Sequence, residues 1–165
     1  MLTLVVYDTK FGNTARIADA IGRGVGTRGG VRVLDATEAI RSLAERPDLL
    51  IVGGPTQRRG LSPALRGFVH ALPPGLRGVA AASFDTRYRQ PTWLTGSAAA
   101  EAARRLGKAG SRLAAPPESF FIARGGPPER QGLEVGELER AEEWGRVVRA
   151  AVAGRVTEPR QSPSA

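Results

Sequence analysis

The chain has 165 residues, 41% of them hydrophobic and 24% charged, enough for one domain with a continuous core and too few for two. It contains no cysteine and a single histidine, His70, which removes disulfides, thiolate metal sites and cysteine nucleophiles and leaves a zinc site or serine triad without its imidazoles. Lysine and arginine number 24 against 16 acidic residues, a net charge of +8 that draws anions, but the arginines are scattered and aromatics are 5%, so no specific nucleic acid is expected as a partner.

Leu2 to Tyr7 (LTLVVY) is a short, nearly continuous apolar run with β-branched residues, the pattern of a strand buried on both faces of a parallel sheet. The turn Asp8-Thr-Lys-Phe-Gly-Asn-Thr14 follows, and then Ile17, Ile21 and Val25 recur every four residues with Ala18 beside them, which predicts an amphipathic helix ending among the glycines from Gly26 to Gly30. Val31 to Leu34 reads as a second strand and Ala39 to Arg46 as a weak helix stopped by Pro47. Leu49 to Val52 (LLIV) is the most apolar strand and runs into Gly53-Gly54. A polar, basic loop from Pro55 to Ser62 leads to a short helix over Pro63 to Leu72, and Gly78 to Phe84 (GVAAASF) predicts a fourth strand. Its small residues imply tight helix packing above it.

A second long loop spans Asp85 to Gly96, after which Ser97 is placed to cap a helix through Leu106. Glu118 to Ala123 predicts a fifth strand. Gly136 to Val152 predicts a strong helix with Leu138, Ala141, Trp144, Val148 and Val152 on one face, which assigns Trp144 to the core. Five strands alternating with five helices predict a doubly wound α/β fold, with all strand-to-helix turns at one sheet edge. The expected domain covers residues 1–154, and the polar, proline-bearing residues 155–165 are expected to form a flexible tail. No apolar run approaches the roughly 20 residues that cross a bilayer, and Met1-Leu-Thr-Leu carries no basic leader, so the expectation is a cytoplasmic protein without membrane insertion.

Ligands of such sheets bind outside the carboxyl ends of the strands, which directs attention to the turns after strands one, three and four. In Thr9-Lys-Phe-Gly-Asn-Thr14, two hydroxyls, a glycine and successive N–H groups at a helix start make a nest suited to a phosphate dianion, with Lys10 as an added point charge. The same residues serve equally as a helix cap and a turn with no ligand, and the turn alone does not separate the two. Gly22-Arg-Gly-Val-Gly26 ends a helix instead of opening one, the wrong geometry for a pyrophosphate. His70, near the end of its helix, reads as a cap or surface group.

Thr9-Lys-Phe-Gly-Asn-Thr14 resembles the phosphate-binding loop of flavodoxins, Ser/Thr-x-x-Gly-Asn-Thr. Gly53-Gly-Pro-Thr-Gln57 is similar to the loop after the third strand in flavodoxin-like domains, above all to the Gly-Ser-Pro-Thr form of the flavin domain of flavodiiron proteins, and Ala82-Ser-Phe-Asp-Thr-Arg-Tyr88 resembles the loop after the fourth. The resemblance covers Leu2 to Val152 and implies a five-stranded parallel sheet of order 2-1-3-4-5, helices on both faces, and one non-covalent FMN. Carried across, it gives Thr9, Gly12, Asn13 and Thr14 to the phosphate with backbone N–H from Lys10 and Phe11, places Pro55, Thr56, Gln57 and Arg58 along the ring, sets Ser83, Phe84 and Asp85 at the pyrimidine through backbone groups, and makes Tyr88 the stacking face, with Trp93 a second candidate.

Three departures modify what the resemblance implies. Phe11 stands where classical flavodoxins have a third hydroxyl, which removes one phosphate contact, and Gln57 and Arg58 stand where an aromatic and a glycine are frequent, which leaves one ring face unstacked. Arg58, Arg59, Arg87 and Arg89 replace an acidic rim. A cation there favours the anionic reduced ring, and about 2 kcal/mol of such stabilisation raises the potential by about 90 mV. The expected function is electron transfer with redox partner proteins of acidic surface, as a monomer or homodimer; the other readings are an NAD(P)H-dependent quinone or acceptor reductase and a flavin-free regulatory module. A response-regulator receiver is excluded because Gly53-Gly54 occupy the position of its phosphoacceptor aspartate.

Overall fold

The computed structural model describes residues 1–26, 30–42, 45–57, 60–73 and 76–156. Strand β1 (Thr3–Tyr7) is flanked on one side by β2 (Val31–Asp35) and on the other by β3 (Leu49–Pro55), which in turn pairs with β4 (Ala80–Arg87), every pair parallel. The fifth position is shared. β5 (Arg112–Leu113) pairs with Ala80 and Ala81, and β6 (Glu118–Phe121) pairs with Phe84 to Arg87. The expected order 2-1-3-4-5 is therefore found, with six strands in five positions. The break falls at Pro116-Pro117, which lack the N–H a ladder requires, and the predicted 118–123 strand ends at Phe121.

Helices α1 (Asn13–Val25), α2 (Ala36–Ser42), α3 (Pro63–His70), α5 (Ala98–Lys108) and α6 (Glu137–Val156) join the strands, with a single turn, α4 (Thr92–Thr95), inside the loop after β4. α2 starts three residues before the prediction because the Asp35 carboxylate accepts from both the N–H and the hydroxyl of Thr37, capping the helix directly behind β2. α6 runs past Val152 to Val156; the predicted tail from residue 157 on lies outside the described residues.

Alternate residues of the central strands feed two cores. Val5, Leu49, Ile51, Ala82 and Phe84 pack under α1 and α6, and Leu4, Val6, Leu50 and Val52 pack under α2, α3 and α5. Burial on both faces is why these strands carry unbroken apolar runs. Phe84, Phe120 and Trp144 form a mutually edge-on triad with centroids 6.2–6.5 Å apart, which confirms Trp144 as core. Glycines at the α1–α6 crossing have a packing role: a Cβ on Gly24 of α1 would collide with the Glu142 carbonyl of α6, and one on Gly145 of α6 with the Ile21 carbonyl of α1.

Candidate functional site

The turn between β1 and α1 is organised from within. The Asp8 carboxylate accepts from the Thr9 N–H (2.9 Å), and the Thr9 hydroxyl oxygen accepts from the Gly12 N–H (3.0 Å). Gly12 stands at the N-cap with φ +85°, and the space where a Cβ would lie is open. α1 has no side-chain cap and no acidic residue in its first turn, whereas Ser62 caps α3 and Ser97 caps α5. The first-turn N–H groups of α1 thus retain their unmet donors and the positive end of the helix dipole.

The hydroxyls keep donors to spare. Among the described residues Thr9 Oγ1 is used only as an acceptor, which leaves its proton for a ligand. Thr14 and Thr86 share one hydrogen bond (2.8 Å), which leaves one of the two hydroxyl protons uncommitted. Asn13 is committed elsewhere: its side-chain amide donates to the Gln131 carbonyl (2.8 Å). Lys10 is exposed, with its ammonium 5.1 Å from the Phe11 ring centroid, and Phe11 is 44% exposed.

In front of this turn lies a cavity of about 330 Å³. One wall is Lys10, Phe11 and Asn13; a second is Pro55, Thr56 and Gln57, at the end of β3; a third is Thr86, Arg87 and Tyr88 with Gln90 and Thr95; the fourth is Ile122, Pro128 and Gln131, from the segment before α6. Gln57 and Gly60 exchange two backbone hydrogen bonds of 3.0 and 2.8 Å, closing the loop after β3, while Arg58 and Arg59 lie outside the described residues.

The expected pyrimidine segment, Ser83 to Asp85, does not reach the cavity. β4 runs three residues beyond the predicted end at Phe84, so the backbone from Phe84 to Asp85 is paired with β3 on one side and β6 on the other and is not free to meet a ring. Ser83 donates to the Ala99 carbonyl (2.9 Å), and Phe84 is in the aromatic triad. Asp85, fully buried, turns toward α5: its Oδ2 accepts from the Thr56 hydroxyl (3.0 Å), the Ser97 hydroxyl (2.6 Å) and the Ala99 N–H (3.1 Å), while Thr56 Oγ1 accepts from the Ala98 N–H (3.0 Å). The start of α5 is therefore closed by protein groups, where that of α1 is open.

Tyr88 is on the cavity wall, half-buried, with its hydroxyl donating to Gln131 Oε1 and the Arg124 guanidinium 5.4 Å from its ring centroid. Trp93 is 80% exposed at the tip of its loop and is not on that wall. Exposed His70 closes α3 away from the cavity. Of the arginines, Arg89 is exposed and paired with Glu134 at 2.7 Å, which raises its pKa by that bond. Arg87 is only 6% exposed, and its guanidinium donates to the carbonyls of Tyr88, Gln90 and Gly96, with no carboxylate in ion-pair contact among the described residues. Thr86, Gln90, Thr95, Ile122, Pro128 and Gln131 complete the walls; Thr86 lies inside the Ala82–Tyr88 motif without a role assigned to it, and no sequence motif marked the other five.

No protein-family model matches the chain, and no curated protein matches its sequence. Solved structures do match. A flavodoxin from the domain Archaea is 19% identical, over 93% of this chain and 99% of its own, with a TM-score of 0.74. Flavodoxin 1 from Bacillus cereus is 21% identical, over 88% of this chain and 96% of its own, at 0.68. The flavodiiron protein from Giardia intestinalis is 18% identical, over 92% of this chain but 36% of that larger one, at 0.70. The fold is flavodoxin-like, a doubly wound parallel sheet with the cavity at its topological switch point.

Proposed function

We propose that the chain binds FMN non-covalently and serves in electron transfer. One observation carries this reading: the uncapped first turn of α1 opens onto a cavity of about 330 Å³ between the ends of β1, β3 and β4. The residues present fit the group. A phosphate dianion would take the first-turn N–H groups and the spare hydroxyl protons of Thr9 and of the Thr14–Thr86 pair, with Lys10 as an exposed counter-charge. Pro55, Thr56, Gln57 and Tyr88 would flank the ring, and the cavity is within the usual size range of cofactor sites. Bound FMN would supply the one- and two-electron redox chemistry that a chain without cysteine cannot offer from its own side chains.

The chain's own contributions are binding, orientation and charge. Phe11 and Tyr88 give the cavity apolar surface, and Asp85 holds Thr56 in place through its hydroxyl. Lys10 and Arg87 line the cavity and the Arg124 guanidinium lies by the Tyr88 ring, on a chain of net charge +8, which favours redox proteins with an acidic face as partners. A second reading, a reductase fed by a nicotinamide dinucleotide, draws on a groove of about 560 Å³ lined by Lys10, Gln57, Leu61, Pro63 and Arg66, which adjoins the cavity through Lys10 and Gln57 and offers two cations to a phosphate. Incubation of the FMN-loaded protein with NADPH and a quinone separates the two. A carrier leaves NADPH unoxidised until a separate reductase is added, and steady oxidation by the chain alone would overturn the carrier reading.

A further inference from the structure

The fourth wall of the cavity is the connection from β6 to α6, residues 122–136. It folds back on itself: Ile122 bridges Leu133, the Ala123 N–H donates to the Gly132 carbonyl (2.9 Å), and the Glu134 N–H donates to the Phe121 carbonyl (2.9 Å). The far end holds Gly125 and Gly126, both with positive φ, and a single 3-10 turn at Pro128–Arg130. Nothing in these local bonds aims the strap at the ligand side.

One residue does. Gln131 Oε1 accepts from the Tyr88 hydroxyl, Gln131 Nε2 donates to the Gly126 carbonyl (2.8 Å), and the Gln131 main-chain carbonyl accepts from Asn13 Nδ2 (2.8 Å). The three bonds reach the end of β4, the strap's own tip and the start of α1. Both distant partners belong to the cavity wall, as does Gln131 itself. A tyrosine in a loop has two side-chain torsions to lose when it is ordered, and a bond that fixes its hydroxyl before any ligand arrives removes that cost from binding. The Nε2 bond to Gly126 fixes which end of the amide faces Tyr88, because Oε1 is the only side-chain acceptor left to it.

We infer that Gln131 is a positioning residue that latches the 122–136 strap to Tyr88 and Asn13 and so presets the cavity for the ring of its ligand. The inference rests on the flavin reading for the identity of that ligand. Gln131→Met keeps the length of the side chain and the main-chain carbonyl but loses the Tyr88 and Gly126 bonds, and Tyr88→Phe keeps the ring but loses the hydroxyl.

The test is a double-mutant cycle in the full chain, reading FMN affinity by quenching of flavin fluorescence and hydrogen exchange of residues 122–136 without ligand. Each single variant is expected to weaken FMN binding about five- to tenfold, and the double variant no more than Gln131→Met alone, because the Tyr88–Gln131 bond is already absent in that single variant. Exchange in the strap is expected to quicken in both singles. Losses that multiply in the double variant, or a Gln131→Met protein with unchanged affinity and exchange, would overturn the latch. Failure of the unaltered chain to bind FMN would count against the flavin reading alone, and exchange in the ligand-free strap would still decide whether Gln131 fastens it.

Discussion

Replacing Asp85 by alanine removes the acceptor that ties Thr56 of the second cavity wall to the start of α5. Oδ2 takes hydrogen bonds from the Thr56 hydroxyl at 3.0 Å, the Ser97 hydroxyl at 2.6 Å and the Ala99 N–H at 3.1 Å, and the residue is fully buried. The Ala99 N–H has no substitute, since a helix first turn offers no carbonyl to it, and a buried donor left unmet costs about 1–3 kcal/mol. The two hydroxyls can rotate, so each loses less, and relief of the buried Oδ1, which has no partner among the described residues, offsets part of the sum. The net expectation is a loss of about 3 kcal/mol for Asp85→Ala and about 1 kcal/mol for Asp85→Asn, whose amide oxygen can still accept. Urea unfolding followed by far-UV circular dichroism measures both, and FMN affinity should fall in the same order as Thr56 loosens. An Asp85→Ala protein within about 0.5 kcal/mol of the parent would refute the network as drawn, since that is the scatter of an ordinary surface change.

Arg87→Gln removes a buried positive charge that no carboxylate among the described residues pairs, while Arg87→Lys retains it. The potential of bound FMN should drop for glutamine by about 40 mV for each 1 kcal/mol of lost charge stabilisation and hold for lysine; a spectroelectrochemical titration in which lysine and glutamine behave alike would count against a charge effect. Glu101 is held below the usual carboxylate range: burial pushes its carboxyl up, but the Leu61 N–H at 2.8 Å and the Arg105 and Arg66 guanidiniums outweigh it. With the folded value below the unfolded one, its contribution is present above the usual carboxylate range and disappears as pH falls through the depressed value, so the stability gap between parent and Glu101→Gln should narrow on acidification; a gap that stays constant would contradict the assignment. Gly24→Ala drives a methyl into the Glu142 carbonyl at the α1–α6 crossing and should cost about 3 kcal/mol, seen as a lowered thermal midpoint, and a midpoint equal to the parent's would show that the helices are free to part.

Much of the fold was legible because the sheet is buried on both sides. LTLVVY and LLIV are apolar without alternation since every residue faces a helix layer, and Ile17, Ile21 and Val25 repeat at the helical spacing that covers one of those layers. Gly53-Gly54 were legible as a strand end, and the structure supplies the reason: a Cβ at Gly53 would strike the Phe84 ring and one at Gly54 the Leu65 side chain. The end of β4 was not legible. Asp85, Thr86 and Arg87 are polar yet buried, and what satisfies them comes from Thr56, Thr14 and Gly96, which lie far off in sequence or around a loop. Polarity there reads as a loop, so the sequence assigns Ser83–Asp85 to a ligand beside Tyr88, whereas the cavity wall is made of Thr86, Arg87 and Tyr88. The strap was invisible for the same reason. Gln131 sits in a run of glycines and prolines, and its bond to Asn13 spans 118 positions. The turn from Thr9 to Thr14 was legible as a glycine-bearing turn at a helix start, because such a turn needs local backbone more than distant partners, whereas the bond from Asn13 to the strap was not.

The central claim is that the open start of α1 takes a phosphate, and isothermal calorimetry with FMN and with riboflavin, which share the ring and differ in that group, tests it most directly. FMN should bind with riboflavin at least about 100-fold weaker, the loss of two charge-assisted bonds at about 1.5 kcal/mol each. No heat from FMN, or equal affinity for the two, would contradict the account.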